Sequence, residues 1–316
     1  MITTSVFRLN VLLIFNLWVV SSAVSLKDEK HELEMTQNLN LARQDRIQDV
    51  CDRYPPKIGL NELPQSELDH IIIDDERKLL YCYVPKVACT NWKRLLMILA
   101  GKWNGTDILA VPGHLAQAPG VFRELSNVTR EERDYMLENY NKMIIVRNPF
   151  ERLLSAYRNK FEGTTPSAKY FQERAGKLII KAFRENPTAE SLNNGDDVTF
   201  KEFALFVLNK SENLNNMVNN EHWTPITKLC HPCLINYTLV GKYETLHDDA
   251  QLALKTINVT NIQLPHLSRT SGTAEKLHSY FSQLDLPLIR ELYKLFENDY
   301  RMFDYNLNNI VGFDLG

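Results

Sequence analysis

The sequence predicts an α/β domain with a central, largely parallel sheet flanked by helices, preceded by an N-terminal hydrophobic segment and a stem. Three observations lead there. Short apolar runs alternate with stretches of helical spacing, as βαβ units do. Composition is that of a globular chain, with 44% hydrophobic and 24% charged residues over 316 positions and no visible repeat. The charge balance, 36 Lys plus Arg against 39 Asp plus Glu, excludes a protein that grips nucleic acid by bulk charge and leaves room for a local basic cleft. Five cysteines are too few for a disulfide scaffold, and their odd number leaves one thiol without an internal partner.

In chain order, residues 9–24 read LNVLLIFNLWVVSSAV behind Arg8. That run is short of the ~20 apolar residues a spanning helix needs, and Ser21-Ser22-Ala23 offers small residues for cleavage. Residues 1–26 are therefore a signal peptide or a retained signal anchor, and both deliver the rest of the chain to the secretory lumen. Five N-x-[ST] triplets, at Asn104, Asn127, Asn209, Asn236 and Asn258, agree with a lumenal glycoprotein. Residues 27–66 are polar and charge-rich, with a helix-like patch at Leu33–Val50, and read as a stem or linker; the lumenal domain is 67–316.

Strands are expected at Ile71-Ile72-Ile73, at Leu79–Val84 and at Met143–Val146. The second is followed by a helix with Trp92, Leu95, Leu96 and Leu99 on one face. The third is followed by a helix carrying Phe150, Leu153, Leu154, Tyr157 and Phe161. Further helices are expected at Phe200–Leu208, Leu246–Ile257 and Leu286 to about Tyr300.

Two of these junctions carry chemistry. In Tyr83-Val84-Pro85-Lys86-Val87-Ala88-Cys89-Thr90-Asn91-Trp92 a strand ends, a loop turns, and a helix starts near Thr90 or Asn91, both acceptable N-caps. Uncommitted N–H groups and the positive end of the helix dipole make such a start an anion site, and Lys86 adds a full charge. A plain strand–helix connection with a solvated lysine is the bland alternative. In the second junction Arg147 ends the strand, Asn148 suits the N-cap and Pro149 the first helical position. Arg152, Ser155 and Asn159 share a face apart from the apolar stripe. A cation directly ending a buried strand needs a partner.

The blocks VPKVACTNWKR and VRNPFERLLSAYRNKF, with EHW at 221–223, LCHPC at 229–233 and LVGKYET at 239–245, strongly resemble the Golgi carbohydrate sulfotransferases, over residues 68–306. The match is with the branch that 4-O-sulfates chondroitin and dermatan. This resemblance implies a P-loop-like sulfotransferase fold, although no Walker A loop is present. It implies 3′-phosphoadenosine 5′-phosphosulfate (PAPS) as donor and a glycosaminoglycan or glycoprotein glycan as acceptor. It also implies a single-pass type II Golgi membrane protein with a lumenal catalytic domain, secreted if the leader is cleaved. By the same resemblance residues 85–92 hold the 5′-phosphosulfate, with Lys86 on the bridging oxygen and Thr90 and Asn91 near the phosphate. Arg147 and Ser155 take the 3′-phosphate, and Arg269 sits in a late basic loop over the nucleotide. No acidic or His cluster has metal-ligand spacing, so no metal is expected.

An acceptor hydroxyl must lose a proton as it attacks sulfur, and His is the side chain best matched to that task near neutral pH. Of the eight His, His114 lies between the two donor segments, where related enzymes carry their base, and is the first choice; His222 is the second. A disulfide is expected among Cys51, Cys82, Cys230 and Cys233, with the pairing open, and Cys89 reads as a small packing residue. A P-loop kinase and a non-catalytic glycan-binding glycoprotein are the competing classes. The first needs Mg²⁺ ligands and a Walker loop; the second has no use for a donor loop.

Overall fold

The computed structural model describes residues 30–209, 219–265 and 272–307. The apolar leader and Arg269 lie outside these residues. Two apolar segments, β1 (Ile71–Asp74) and β2 (Leu79–Cys82), are almost wholly buried. Only residues 75–78 separate them, with Lys78 in the left-handed region at φ 49°. A turn that short closes a hairpin, whereas a parallel crossover needs a dozen residues or more. β1 and β2 accordingly pair antiparallel, with Ile71 opposite Cys82.

After β2 come helix α2 (Cys89–Leu99) and the short helix α3 (Gly113–Ala116). Strand β3 (Arg123–Glu124) pairs antiparallel with β1. Helix α4 (Arg130–Asn139) starts with a full capping box between Thr129 and Glu132 and leads into β4 (Asn141–Val146). Helix α5 (Pro149–Lys160) follows, and β5 (Leu239–Lys242) comes after a long helical excursion. β2, β4 and β5 run parallel, in the sheet order β3-β1-β2-β4-β5.

The expected largely parallel sheet is thus corrected to a mixed one. Its parallel part holds both junctions singled out in the sequence, because the intervening chains are long enough to cross over. The β1 hairpin and β3 add an antiparallel flank.

Residues 30–53, inside the segment read as a stem, form one helix, α1, that docks on the domain. Its Ile47, Val50 and Cys51 are buried with the sheet residues. Asn40 accepts from the Val240 N–H at 2.8 Å and donates to Thr238 O at 3.0 Å, occupying the backbone of the outer strand β5. Arg43 donates to Val240 O at 2.8 Å and pairs with buried Asp249 at 2.7 Å. Two disulfides complete the frame: Cys51–Cys233 ties α1 to the 226–235 segment, and Cys82–Cys230 ties the end of β2 to the same segment. Cys89 is a free, buried thiol.

A second core lies on the far side of α5. Phe150, Leu153, Leu154, Tyr157 and Phe161 pack there against helices Phe200–Leu208 and Leu286–Met302. Rings dominate it: Phe150 stacks on Phe281 at 4.5 Å, and Trp223 meets Phe203 edge-on at 5.4 Å. α5 is therefore held on its apolar face, with its other face free to line a cavity.

Candidate active site

That cavity has a volume of about 610 Å³ and opens where β2 and β4 end. Its walls include Pro85, Lys86, Ala88, Cys89, Thr90 and Asn91 from the first junction, Arg147, Ser155 and Asn159 from the second, and His222. The two strand ends touch, since Arg147 donates to the Lys86 carbonyl at 3.3 Å.

The first junction is bent by its backbone. Lys86 (φ 75°) and Ala88 (φ 66°) both occupy the left-handed region, which side chains other than glycine's enter at a cost. Left-handed residues alternating along a turn bring successive N–H groups to one concavity, a form that cradles anions. Helix α2 then starts at Cys89, with Ala88 as N-cap and no side-chain cap. Thr90 and Asn91, expected as caps, instead lie within the first turn and bond elsewhere: Thr90 Oγ1 accepts from Gln117 and Asn91 Oδ1 from Arg94. The start of the helix dipole therefore faces the cavity without a competing side-chain acceptor. Val87 and Trp92 do not line it; both are fully buried and pin the loop and helix to the core.

The second junction follows the expected chemistry closely. Asn148 Oδ1 accepts from the N–H groups of Phe150 and Glu151, and Pro149 takes the first helical position. Arg147, almost fully buried, is held by Glu151 at 3.2 Å and lies 4.2 Å over the ring of Tyr243, which follows β5. Arg152, one turn into α5, is buried and reaches across the site. Its guanidinium donates to Pro85 O at 3.0 Å, to Thr224 O at 2.7 Å and to Glu221 O at 2.7 Å. One side chain thus braces the donor-loop candidate to the 219–225 loop.

His222 sits on that loop. Asn220 Oδ1 accepts from the His222 backbone N–H at 3.1 Å and lies 2.7 Å from Nδ1. An oxygen already accepting a backbone proton pairs with a protonated Nδ1, which leaves the lone pair on Nε2. Burial first, then the charges of Lys160, Lys86 and Arg152, hold the His222 pKa well below its ordinary value, so the ring is neutral. Lys86 is pushed down to about 8, by burial and then by Lys160, and remains mostly charged at pH 7.

The structure does not bring His114 to the cavity. It is exposed on α3, while Gln117, three residues on, reaches the lining. Sequence reasoning missed Lys160 and Tyr243. Lys160 is five residues after Ser155, about 140° around the helix, so helical spacing places it off the site face. Its long side chain makes up the difference. Tyr243 follows a strand whose register the sequence alone does not reveal. Among the described residues no group of three His, Cys, Asp or Glu is placed to hold a metal ion.

Two adjacent parallel strands whose carboxyl ends present cation-bearing loops to one cleft form the kind of crevice in which open α/β sheets bind their ligands. Comparison with known proteins gives the chain a family. The sequence model for the sulfotransferase family matches residues 69–306, and the chain belongs to that family. Carbohydrate sulfotransferase 11 of Rattus norvegicus is 36% identical over 286 residues, covering 90% of this chain and 80% of the relative. Carbohydrate sulfotransferase 11 of Danio rerio is 38% identical over 272 residues, covering 85% and 76%. Carbohydrate sulfotransferase 8 of Homo sapiens is 34% identical over 279 residues, covering 85% and 64%. No solved structure matches the chain.

Proposed function

We propose that this sulfotransferase moves a sulfuryl group from PAPS to a sugar hydroxyl, the 4-O position of GalNAc in chondroitin or dermatan. The observation that carries the reading is the meeting of the Lys86 loop and the Arg147–Ser155 pair in one cavity. A donor with phosphate groups at both ends of a nucleoside needs two anion sites in one cavity, and the family relationship supplies the sulfur chemistry.

The residues have the following roles in this reading. The loop 85–91 and the start of α2 receive the 5′-phosphosulfate; Arg147 and Ser155 receive the 3′-phosphate. Arg269 belongs to the proposed nucleotide site on resemblance alone. His222 takes the acceptor proton on Nε2, and its place in the cavity supports it over His114. Lys86 stands where negative charge grows on the leaving phosphate oxygen. Sulfuryl transfer gains from position and charge more than from covalent chemistry, as phosphoryl transfer does.

A lumenal, Golgi-resident type II topology fits three features: the apolar leader, two disulfides typical of an oxidising compartment, and exposed sequon asparagines at Asn104, Asn127, Asn236 and Asn258. The test is incubation of the lumenal fragment with sulfur-labelled PAPS and a panel of desulfated chondroitin, dermatan and N-glycans ending in GalNAc. Label at the 4-position of chondroitin or dermatan GalNAc is expected. Label on the N-glycans alone would move the acceptor, and label on none would remove the reading.

A further inference from the structure

Lys160 is the last residue of α5, and its side chain folds back into the same cavity as Lys86, Ser155 and His222. Only 6% of the residue is exposed. Its ammonium donates to Ser167 Oγ at 2.8 Å and lies 4.4 Å over the ring of Phe171. Both partners are uncharged. A buried ammonium held by a hydroxyl and a ring is costly, and costlier beside a second buried lysine. Such an arrangement is stable in the resting protein because Glu221 stands nearby, and it becomes favourable when an anion enters between the two lysines.

Two anions are available in the proposed reaction: the sulfuryl group in transit, and a uronate of the acceptor. Position favours the first. Lys160 lines one cavity with Lys86 and His222, which flank the sulfur in the reading above, and among charged neighbours it is the strongest acting on each of them. The 3′-phosphate partners Arg147 and Ser155 are served separately, with Arg147 engaged by Glu151 and Tyr243.

We propose that Lys160 is a second catalytic cation, contacting the non-bridging oxygens of the sulfuryl group during transfer. The inference rests on the PAPS-dependent reading. The acceptor oxygen forms a bond to sulfur while the bond from sulfur to the 5′-phosphate oxygen breaks. The electron pair stays on that phosphate oxygen beside Lys86, and the hydroxyl proton goes to Nε2 of His222. The products are the sulfate ester and 3′-phosphoadenosine 5′-phosphate. Charge on the sulfuryl oxygens between these two ends is what Lys160 offsets. The same charge adds to burial in keeping the imidazole in its neutral, proton-accepting form. His222 is faced by Lys160, Lys86, Arg152 and His70, and by the carboxylate of Glu221 at 3.7 Å. Lys160 is faced by Glu221 and Cys89.

The experiment begins with the wild-type lumenal protein, PAPS and desulfated chondroitin. Failure of the wild type to bind PAPS or transfer sulfate overturns the underlying reading and is seen before any variant is made. With transfer established, Lys160→Gln is expected to lower kcat by about 10²-fold, as loss of one preorganised donor does. PAPS affinity and acceptor KM should stay within a few-fold of wild type. The acid limb of kcat should move to higher pH, because His222 loses a positive neighbour. Lys160→Arg should restore part of kcat and return the limb to its wild-type position. A Lys160→Gln enzyme within a few-fold of wild type, or one with an unmoved limb, overturns the proposal. So does a raised acceptor KM at unchanged kcat, which would make Lys160 an anchor for the acceptor uronate. If Lys160→Gln fails to bind PAPS through misfolding, Ser167→Ala takes its place. It loosens the ammonium, and should lower kcat at constant KM; unchanged kcat there overturns the proposal equally.

Discussion

The two strand ends at this site turn into their helices by opposite means. At the end of β4 the chain uses ordinary helix-starting chemistry, with Asn148 capping, Pro149 in the first position and Arg147 supplying charge. At the end of β2 the backbone itself is bent through two left-handed residues, and the helix starts with no side-chain cap. The second arrangement costs on the order of 1–3 kcal/mol per strained residue and persists only where surroundings over-determine it. Here the surroundings are Arg152, which holds the Pro85 carbonyl, and the buried Val87 and Trp92. The difference teaches that the regular junction supports the irregular one: α5 both presents Ser155 and braces the loop that carries Lys86.

The largest expected effect separates the two histidines that the sequence left in competition. His222→Ala should lower kcat by roughly 10²–10⁴-fold with donor binding intact. His114→Ala should remain within a few-fold of wild type, since His114 is exposed outside the cavity. Steady-state kinetics with PAPS titration checks both, and the reverse outcome would return the base to α3.

That competition marks the limit of what the sequence carried. The regular junction was legible to the residue, because Asn-Pro at a helix start and Arg at a strand end have local causes. The helices Phe200–Leu208 and Leu286–Met302 were legible for the same reason, through their apolar period. The bend at Lys86 and Ala88 was not, since neither residue advertises a left-handed backbone. Nor was the entry of His222 and Lys160 into the cavity, which depends on a loop braced by Arg152 and a helix end folding back. The antiparallel hairpin before β2 was legible too, since the residues between Ile73 and Leu79 are too few for a crossover.

The brace itself gives the next largest effect. Arg152→Met leaves three carbonyls without their donor and buried Asp299 without its neighbouring cation. Breaking a buried charged network in this way costs on the order of 3–5 kcal/mol. Urea unfolding should report that loss, and activity in the folded fraction should fall with it, because the Lys86 and His222 loops lose their common anchor. A stability change below about 1 kcal/mol would mean that the two junctions are independent.

A smaller effect appears in pH dependence. Lys86 titrates near 8 in the free protein and is charged below that value. Charge is lost as pH rises, so kcat/KM should decline above about pH 8, tenfold per unit well past it, while Lys86→Arg should push the decline to higher pH. A flat profile to pH 10 would contradict the role of Lys86.

The smallest pair sharpens the contrast between the junctions directly. Asn148→Ala removes a side-chain cap and should destabilise by about 1 kcal/mol. Ala88→Gly relieves a left-handed strain and should stabilise by up to about 1 kcal/mol. Thermal unfolding of the two variants should therefore shift in opposite directions; equal shifts would erase the distinction.

The central claim is that one cavity holds both ends of one donor, with affinity supplied at β4 and rate supplied at β2. Calorimetric titration of PAPS beside single-turnover rates, on Lys86→Ala and Arg147→Ala, tests it most directly. Arg147→Ala should weaken donor binding by about 1.5–3 kcal/mol, the value of a charge-assisted hydrogen bond, with the saturated rate close to wild type. Lys86→Ala should bind PAPS within a few-fold of wild type and turn over about 10²–10³-fold more slowly. Two folded variants with the same profile, or either one indistinguishable from wild type, would contradict the division of labour between the two strand ends.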